Sequence, residues 1–267
     1  MVSSQTIVFK TVDGVDIHAD VYLPDNHAAD QQYSAILYLH GGGMTIGHRS
    51  MLPMSQVTKF TEKNWIVVSA DYRLIPESKF QDACQDVIDA YQWMRTKVND
   101  LYSIDVDNIA IIGSSAGARL ALIAGYMLEE PPKCLVSLYG QTDFGLNDVS
   151  WMSLRKMEVT EEEAFSFVNK KAVCTSTEWE SAEHKGRMAY LAWMVQHDKI
   201  LEAYFGENYD NSLLQKYSPR SNVHSSYPPT FVIHGKADSL TPYTHAEAMY
   251  EALQKNNIKS QLLLVEG

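Results

Sequence analysis

The chain is 267 residues long, 45% of them hydrophobic, with 22 Lys and Arg against 33 Asp and Glu for a formal net charge of −11. That length is one large domain or two small ones, and the apolar content is enough for a full core, which excludes a disordered chain. The acidic balance argues against nucleic acid or an anionic membrane surface as the main partner.

The three cysteines, Cys84, Cys134 and Cys174, are an odd number without metal or redox spacing. They read as reduced thiols and point to the cytoplasm. No basic-then-apolar leader and no run of transmembrane length is present, so stable membrane insertion is not expected. Thr6 to Thr11 and Val15 to Leu23 flank Asp13-Gly14 and predict an antiparallel hairpin. The apolar run Tyr33 to Leu39 predicts a strand ending at a glycine-rich stretch, and Trp65 to Ala70 a buried strand. Phe80, Cys84, Val87, Ile88, Tyr91, Met94 and Val98 recur at helical spacing after Pro76, as in an amphipathic crossover helix. Ile109 to Ile112 is the next strand and Ala116 to Leu128 a buried helix. Cys134 to Tyr139, Thr230 to Ile233 and Gln261 to Val265 are three more strands. Strands alternating with helices predict an α/β fold, a mostly parallel sheet covered on both faces.

From Phe144 to about Tyr217 the alternation stops. Glu161 to Glu163, Phe165, Phe167, Trp193, Tyr204 and Phe205 fall at helical spacing instead. A long insertion of this kind usually sits where ligands bind. The expected organisation is therefore one domain, residues 1–267, carrying a helical lid at about 145–217.

Two motifs flank that insertion on its N-terminal side. Gly113-Ser114-Ser115-Ala116-Gly117 fits G-x-S-x-G with a strand before and a helix after. In that context the serine is forced into a strained turn, its hydroxyl standing above the sheet at the positive end of the helix. His40-Gly41-Gly42-Gly43 ends the strand before. Three successive glycines are costly in backbone entropy, but they permit the dihedrals and the close approach that aim backbone N–H groups at the oxyanion of an acyl-transfer intermediate. The N–H of Ala116, just after the serine, is a further donor.

Together these segments resemble the α/β-hydrolase fold, in the branch of carboxylesterases similar to hormone-sensitive lipase. His40 to Gly43 resembles that family's oxyanion motif, and Asp71-Tyr72-Arg73-Leu74-Ile75-Pro76-Glu77 its D-Y-R-L-x-P-E segment. Gly113 to Gly117 resembles its nucleophile elbow. His234-Gly235-Lys236-Ala237-Asp238, with Pro242 after it, resembles the turn that carries the acid. The resemblance implies that Ser115 is the nucleophile and Asp238 the triad acid, with Gly42, Gly43 and Ala116 as oxyanion donors and Gly41 also open to that role. It implies no metal and no organic cofactor. Asp71, Arg73 and Glu77 read as a polar brace under the glycine loop, His40 as orienting it, and Asp143 as a runner-up acid or loop cap.

The base departs from the pattern. The family's order is Ser, Asp, His, with the histidine on a loop after the last strand. Here that strand ends at Val265 and no histidine follows it. His245 sits on a helix opening at Thr241-Pro242, about 200° round from Tyr243, which predicts that it points away from the sheet. His224 and His234 read as structural, and His184 and His197 as lid-surface residues. The expectation is that the natural protein continues past Gly267 with its histidine. The 267-residue chain would then be a crippled esterase for small to medium apolar acyl or alcohol groups. Alternatives are a ligand-binding relative without the base, like the plant gibberellin receptors of this branch, and an amidase or formamidase, since arylformamidases have similar glycine loops.

Overall fold

The computed structural model describes residues 3–144, 151–168, 173–174 and 181–266. β1 (Ser3–Val12) and β2 (Val15–Leu23) form the predicted hairpin. Its turn residues Asp13 and Gly14 both have positive φ, 52° and 74°, the backbone that a two-residue hairpin loop demands. β3 (Tyr33–Leu39) leads to the glycine loop and α1 (Met54–Thr61), a helix the sequence reading passed over. β4 (Ile66–Ala70) follows, then α2 (Phe80–Trp93), which runs through a π-helical turn at Met94–Val98 into α3 (Asn99–Tyr102). β5 (Ile104–Ser114) is longer than its apolar run, because polar Asp105 to Asn108 extend it before the buried segment. α4 (Ala116–Met127) and β6 (Cys134–Leu138) come next.

Between β6 and β7 the described residues form α5 (Met152–Arg155), α6 (Glu161–Phe165), α7 (Ala182–Gln196), α8 (Ile200–Phe205) and α9 (Asn211–Lys216). Residues 145–150, 169–172 and 175–180 of the expected insertion lie outside the described set. The chain closes with β7 (Thr230–Gly235), α10 (Thr244–Lys255) and β8 (Ser260–Val265).

The sheet order is β1-β2-β4-β3-β5-β6-β7-β8. The β1–β2 and β2–β4 pairs are antiparallel, and every pair from β4 through β8 is parallel. The pleat sends alternate residues of the central strands to opposite faces. Tyr38 and Val67 pack with Val57 of α1 on one face, while Leu37, Leu39 and Val68 pack with α2 and α4 on the other. Each fully buried aliphatic side chain contributes about 1.5–3 kcal/mol to this core.

The helical insertion has a small core of its own, including Trp151, Leu154, Tyr190, Leu191 and Met194. It is fastened to the main body by Phe80 of α2, whose ring lies 5.6 Å from Tyr204, 5.4 Å from Phe205 and 5.7 Å from Tyr217. Tyr204 and Phe205 therefore face the sheet domain rather than solvent. No helix among the described residues is long and apolar enough to cross a membrane.

Candidate active site

In an open parallel sheet, sites form in the crevice beyond the carboxyl ends of the strands. The glycine loop follows β3, Ser115 follows β5 and Asp238 follows β7, so all three project from that edge.

Ser115 has φ 52° and ψ −116°, a strained backbone for a residue with a β-carbon, costing on the order of 1–3 kcal/mol. Its surroundings hold it there. Its N–H donates to Leu138 O at 2.8 Å, and its carbonyl accepts from Ala118 N and Arg119 N at 3.0 and 3.2 Å. The two glycines of the elbow are fixed by close approach. A Cβ on Gly113 would lie 2.1 Å from Gly117 O, and one on Gly117 2.2 Å from Leu39 O. The serine stays partly exposed while the turn beneath it packs against the end of β3.

The glycine loop folds back onto this elbow. Gly42 has φ 116°, its carbonyl accepts from Thr45 N and Ile46 N at 3.0 and 3.1 Å, and a Cβ there would lie 2.1 Å from Ile46 O. A Cβ on Gly41 would come within 3.2 Å of Ser115 Cβ. Gly43, Ser115 and Ala116 line one small space of about 10 Å³, the room of roughly one water. Ala116 opens α4, so its N–H has no acceptor within the helix and points from the positive end of the dipole. Gly42 is not on the wall of this space.

The expected brace is real at Asp71 and Glu77. Asp71 accepts from Arg49 N at 2.7 Å and Arg49 Nη1 at 2.6 Å, pinning the far end of the glycine segment. Glu77 pairs with Arg187 of α7, which also donates to Thr45 O at 2.6 Å. Arg73 turns elsewhere, to Asp86 on α2 at 2.8 Å. His40 is wholly buried and stacked on Tyr72 at 4.2 Å, its Nδ1 2.7 Å from Gly41 O. Burial pushes its pKa down to about 4, so it is neutral and Nδ1–H donates to that carbonyl.

Asp238 is half-buried in the turn after β7. Its Oδ1 accepts from Leu240 N at 2.8 Å and Thr241 N at 2.9 Å, and its Oδ2 lies 3.4 Å from His234 Nε2. Asp238 does not reach the wall of the serine space, but Thr241, which it holds, does. The end of β8 runs beside this turn, with Lys236 N donating to Val265 O at 2.9 Å.

One histidine reading needs correction: His184 is not on the surface of the insertion, being 5% exposed. His245, expected to turn away from the sheet, is fully buried there, with its Nδ1 accepting from Thr142 N at 3.3 Å, because the loop after β6 covers that face of α10. Asp143 is held by Arg220 at 2.5 Å, the cap-like role expected of it. None of the nine histidines lines the serine space.

Sequence reasoning missed part of the wall: Met44, Arg119, Gln141, Trp151, Tyr204 and Thr241 complete it. Tyr204 donates to Gly43 O at 3.0 Å. For Arg119 a signal existed, since an arginine stands inside an otherwise Ala- and Leu-rich buried helix. Among the described residues no group of three or more His, Cys, Asp or Glu side chains is placed to hold a metal ion.

A mostly parallel eight-stranded sheet, a strained serine between β5 and α4, and helices on both faces define an α/β-hydrolase. The BD-FAE family model matches residues 19–253, and the chain belongs to that esterase-like family of α/β-hydrolases. Among solved structures, Thermogutta terrifontis esterase 2 phosphonylated by sarin is similar at 19% identity and a TM-score of 0.71, covering 99% of this chain and 84% of that one. An α/β-hydrolase superfamily protein from Enterococcus faecalis is similar at 20% identity and a TM-score of 0.73, covering 100% and 89%.

Curated relatives include the non-reducing polyketide synthases Preu6 of Preussia isomera, 30% identical over 98% of this chain, and atr1 of Stereocaulon alpinum, 28% identical over 98%. The chain spans 13% and 12% of the length of these two proteins.

Proposed function

We propose that the protein is a serine carboxylesterase acting through an acyl-enzyme. Ser115 Oγ attacks the ester carbonyl, the alcohol leaves, and water then releases the acid. The developing oxyanion is held by backbone N–H groups of Gly42, Gly43 and Ala116. Asp238 orients the general base, a histidine that the family pattern puts on the loop after β8. The insertion serves as a lid that shapes a mainly apolar acyl or alcohol pocket. The reduced cysteines suit a cytoplasmic enzyme.

The observation that carries this reading is Ser115 itself. A serine held at positive φ at the head of a helix, sharing one space with Gly43 and Ala116, has no structural purpose that a glycine would not serve better. The test is a fluorophosphonate probe with imidazole present to stand in for the base. One label per chain, lost in Ser115→Ala, is expected. No label, or a label that survives the substitution, overturns the assignment.

A second reading is favoured by the curated relatives. Nearly the whole chain aligns with about an eighth of each synthase, so the acyl group taken up by Ser115 would be a polyketide. Comparing simple esters with polyketide acyl donors separates the two.

A further inference from the structure

Arg119 sits one helical turn after Ser115 on α4 and is 4% exposed. Its Nε donates to Gln141 O at 3.3 Å and its Nη2 to Gln141 Oε1 at 2.6 Å, and its guanidinium lies 4.0 Å over the Phe144 ring. Each of these partners is neutral; the carboxylate whose charge reaches it, Asp143, is not within ion-pair distance and is itself held by Arg220. Buried charges are ordinarily paired, because desolvating an ion costs several kcal/mol. Burial lowers the guanidinium to about 10, which still leaves it charged at neutral pH.

Its position gives the charge a use. Arg119, Gln141 and Trp151 line both the space at Ser115 and an adjoining cleft of about 250 Å³. The cleft's other charges are matched: Asp143 is held by Arg220 at 2.5 Å, and Asp198 lies 3.4 Å from Arg155 at the exposed rim. Phe144, Trp151, Val195, Ile200 and Leu201 supply apolar wall. Arg119 is thus the buried cation of an otherwise balanced and partly apolar cleft that opens beside the nucleophile.

We propose that Arg119 is the specificity residue of this site, binding an anionic oxygen group carried on an apolar acyl chain of the substrate. The proposal rests on the esterase reading only in assigning the cleft to the acyl side. It narrows the neutral pocket expected from the sequence to an apolar body with a charged end.

The test uses two isosteric ligands without an ester bond, glutaramate (anionic) and glutaramide (neutral), titrated calorimetrically against the 267-residue chain. Glutaramate should bind at least tenfold more tightly. The preference should collapse to about one in Arg119→Met and be partly kept in Arg119→Lys. Should Arg119→Met fail to fold, the wild-type preference and the lysine variant still decide. Equal binding of the two ligands, or a preference that persists without the arginine, overturns the proposal. Hydrolysis of 4-nitrophenyl butyrate with imidazole present reports on Ser115 separately. A chain that prefers glutaramate yet cleaves no ester keeps this proposal and loses the esterase, and the reverse result does the opposite.

Discussion

Glu77 and Arg187 meet through two hydrogen bonds of 2.9 Å each, with both side chains 1% exposed. The same guanidinium donates to Thr45 O at 2.6 Å and Ile75 O at 2.9 Å. One side chain from the insertion thereby holds the segment following the oxyanion glycines and the loop after β4. Breaking such a pair from one side leaves a buried charge alone, typically at a cost of about 3–5 kcal/mol. Arg187→Met should lower unfolding free energy in urea by that order. Glu77→Leu combined with Arg187→Met should cost less than the sum of the single changes.

Gly42→Ala should slow reaction at Ser115 on the order of a hundredfold, because the loop must move to clear Ile46 O and an oxyanion donor moves with it. Gly206 is the control. It has φ 89° but nothing within 4 Å of an added Cβ, so Gly206→Ala should cost stability alone. The rate of phosphonate labelling measures both, and equal rates in wild type and Gly42→Ala would mean that the loop is only a turn.

The contrast between those glycines also shows how far the sequence could be read. The hairpin was legible from Asp13-Gly14, whose turn needs positive φ, and the elbow from Gly113 to Gly117, where a β-carbon would collide with neighbouring backbone. Helical periodicity was less informative. It gave the phase of α10 correctly, with Ala246, Met249 and Leu253 buried, but periodicity does not reveal a second neighbour. The loop carrying Thr142 buries the opposite face, and His245 with it. Arg119 stood out only as a lone cation in an apolar helix; its meaning comes from a cleft assembled by the loop after β6 and by the insertion. β5 outran its apolar run because Ile104 already pairs with Tyr33, and Asp105 to Asn108 bulge out before regular pairing resumes at Ile109.

His40 should make the protein acid-sensitive. Its pKa is about 4 in the folded state against an ordinary 6.5. Between those values the unfolded chain binds the extra proton, so stability falls as pH drops from 6.5 toward 4 and is fully present above 6.5. The loss from this group approaches about 3 kcal/mol. Thermal unfolding at stepped pH should show a shallower decline over that window in His40→Gln than in wild type. Parallel curves would place the acid sensitivity elsewhere.

Ester turnover by the 267-residue chain should be slow, since none of its nine histidines lines the serine space. Loss of a triad base costs several powers of ten, leaving what the oxyanion donors and binding supply. Added imidazole should raise the rate in a saturable way, and Ser115→Ala should remove the rescue. Full turnover without imidazole, abolished by His245→Ala, would put the base on α10.

The placement of Ser115 at the cap of α4 and Arg119 on its first turn has a further consequence. Four residues along an α-helix advance about 6 Å, and that spacing is set by backbone hydrogen bonds rather than by a mobile loop. If the serine marks where the acyl carbonyl is attacked and the arginine where its far charge rests, the helix acts as a ruler. Acyl chains too short to span it would leave the cation empty, and longer ones would have to buckle against Phe144 and Trp151. Selection by chain length would then be built into the most rigid part of the site, and redesigning it would mean changing the side chain at position 119 rather than loosening the loops around it.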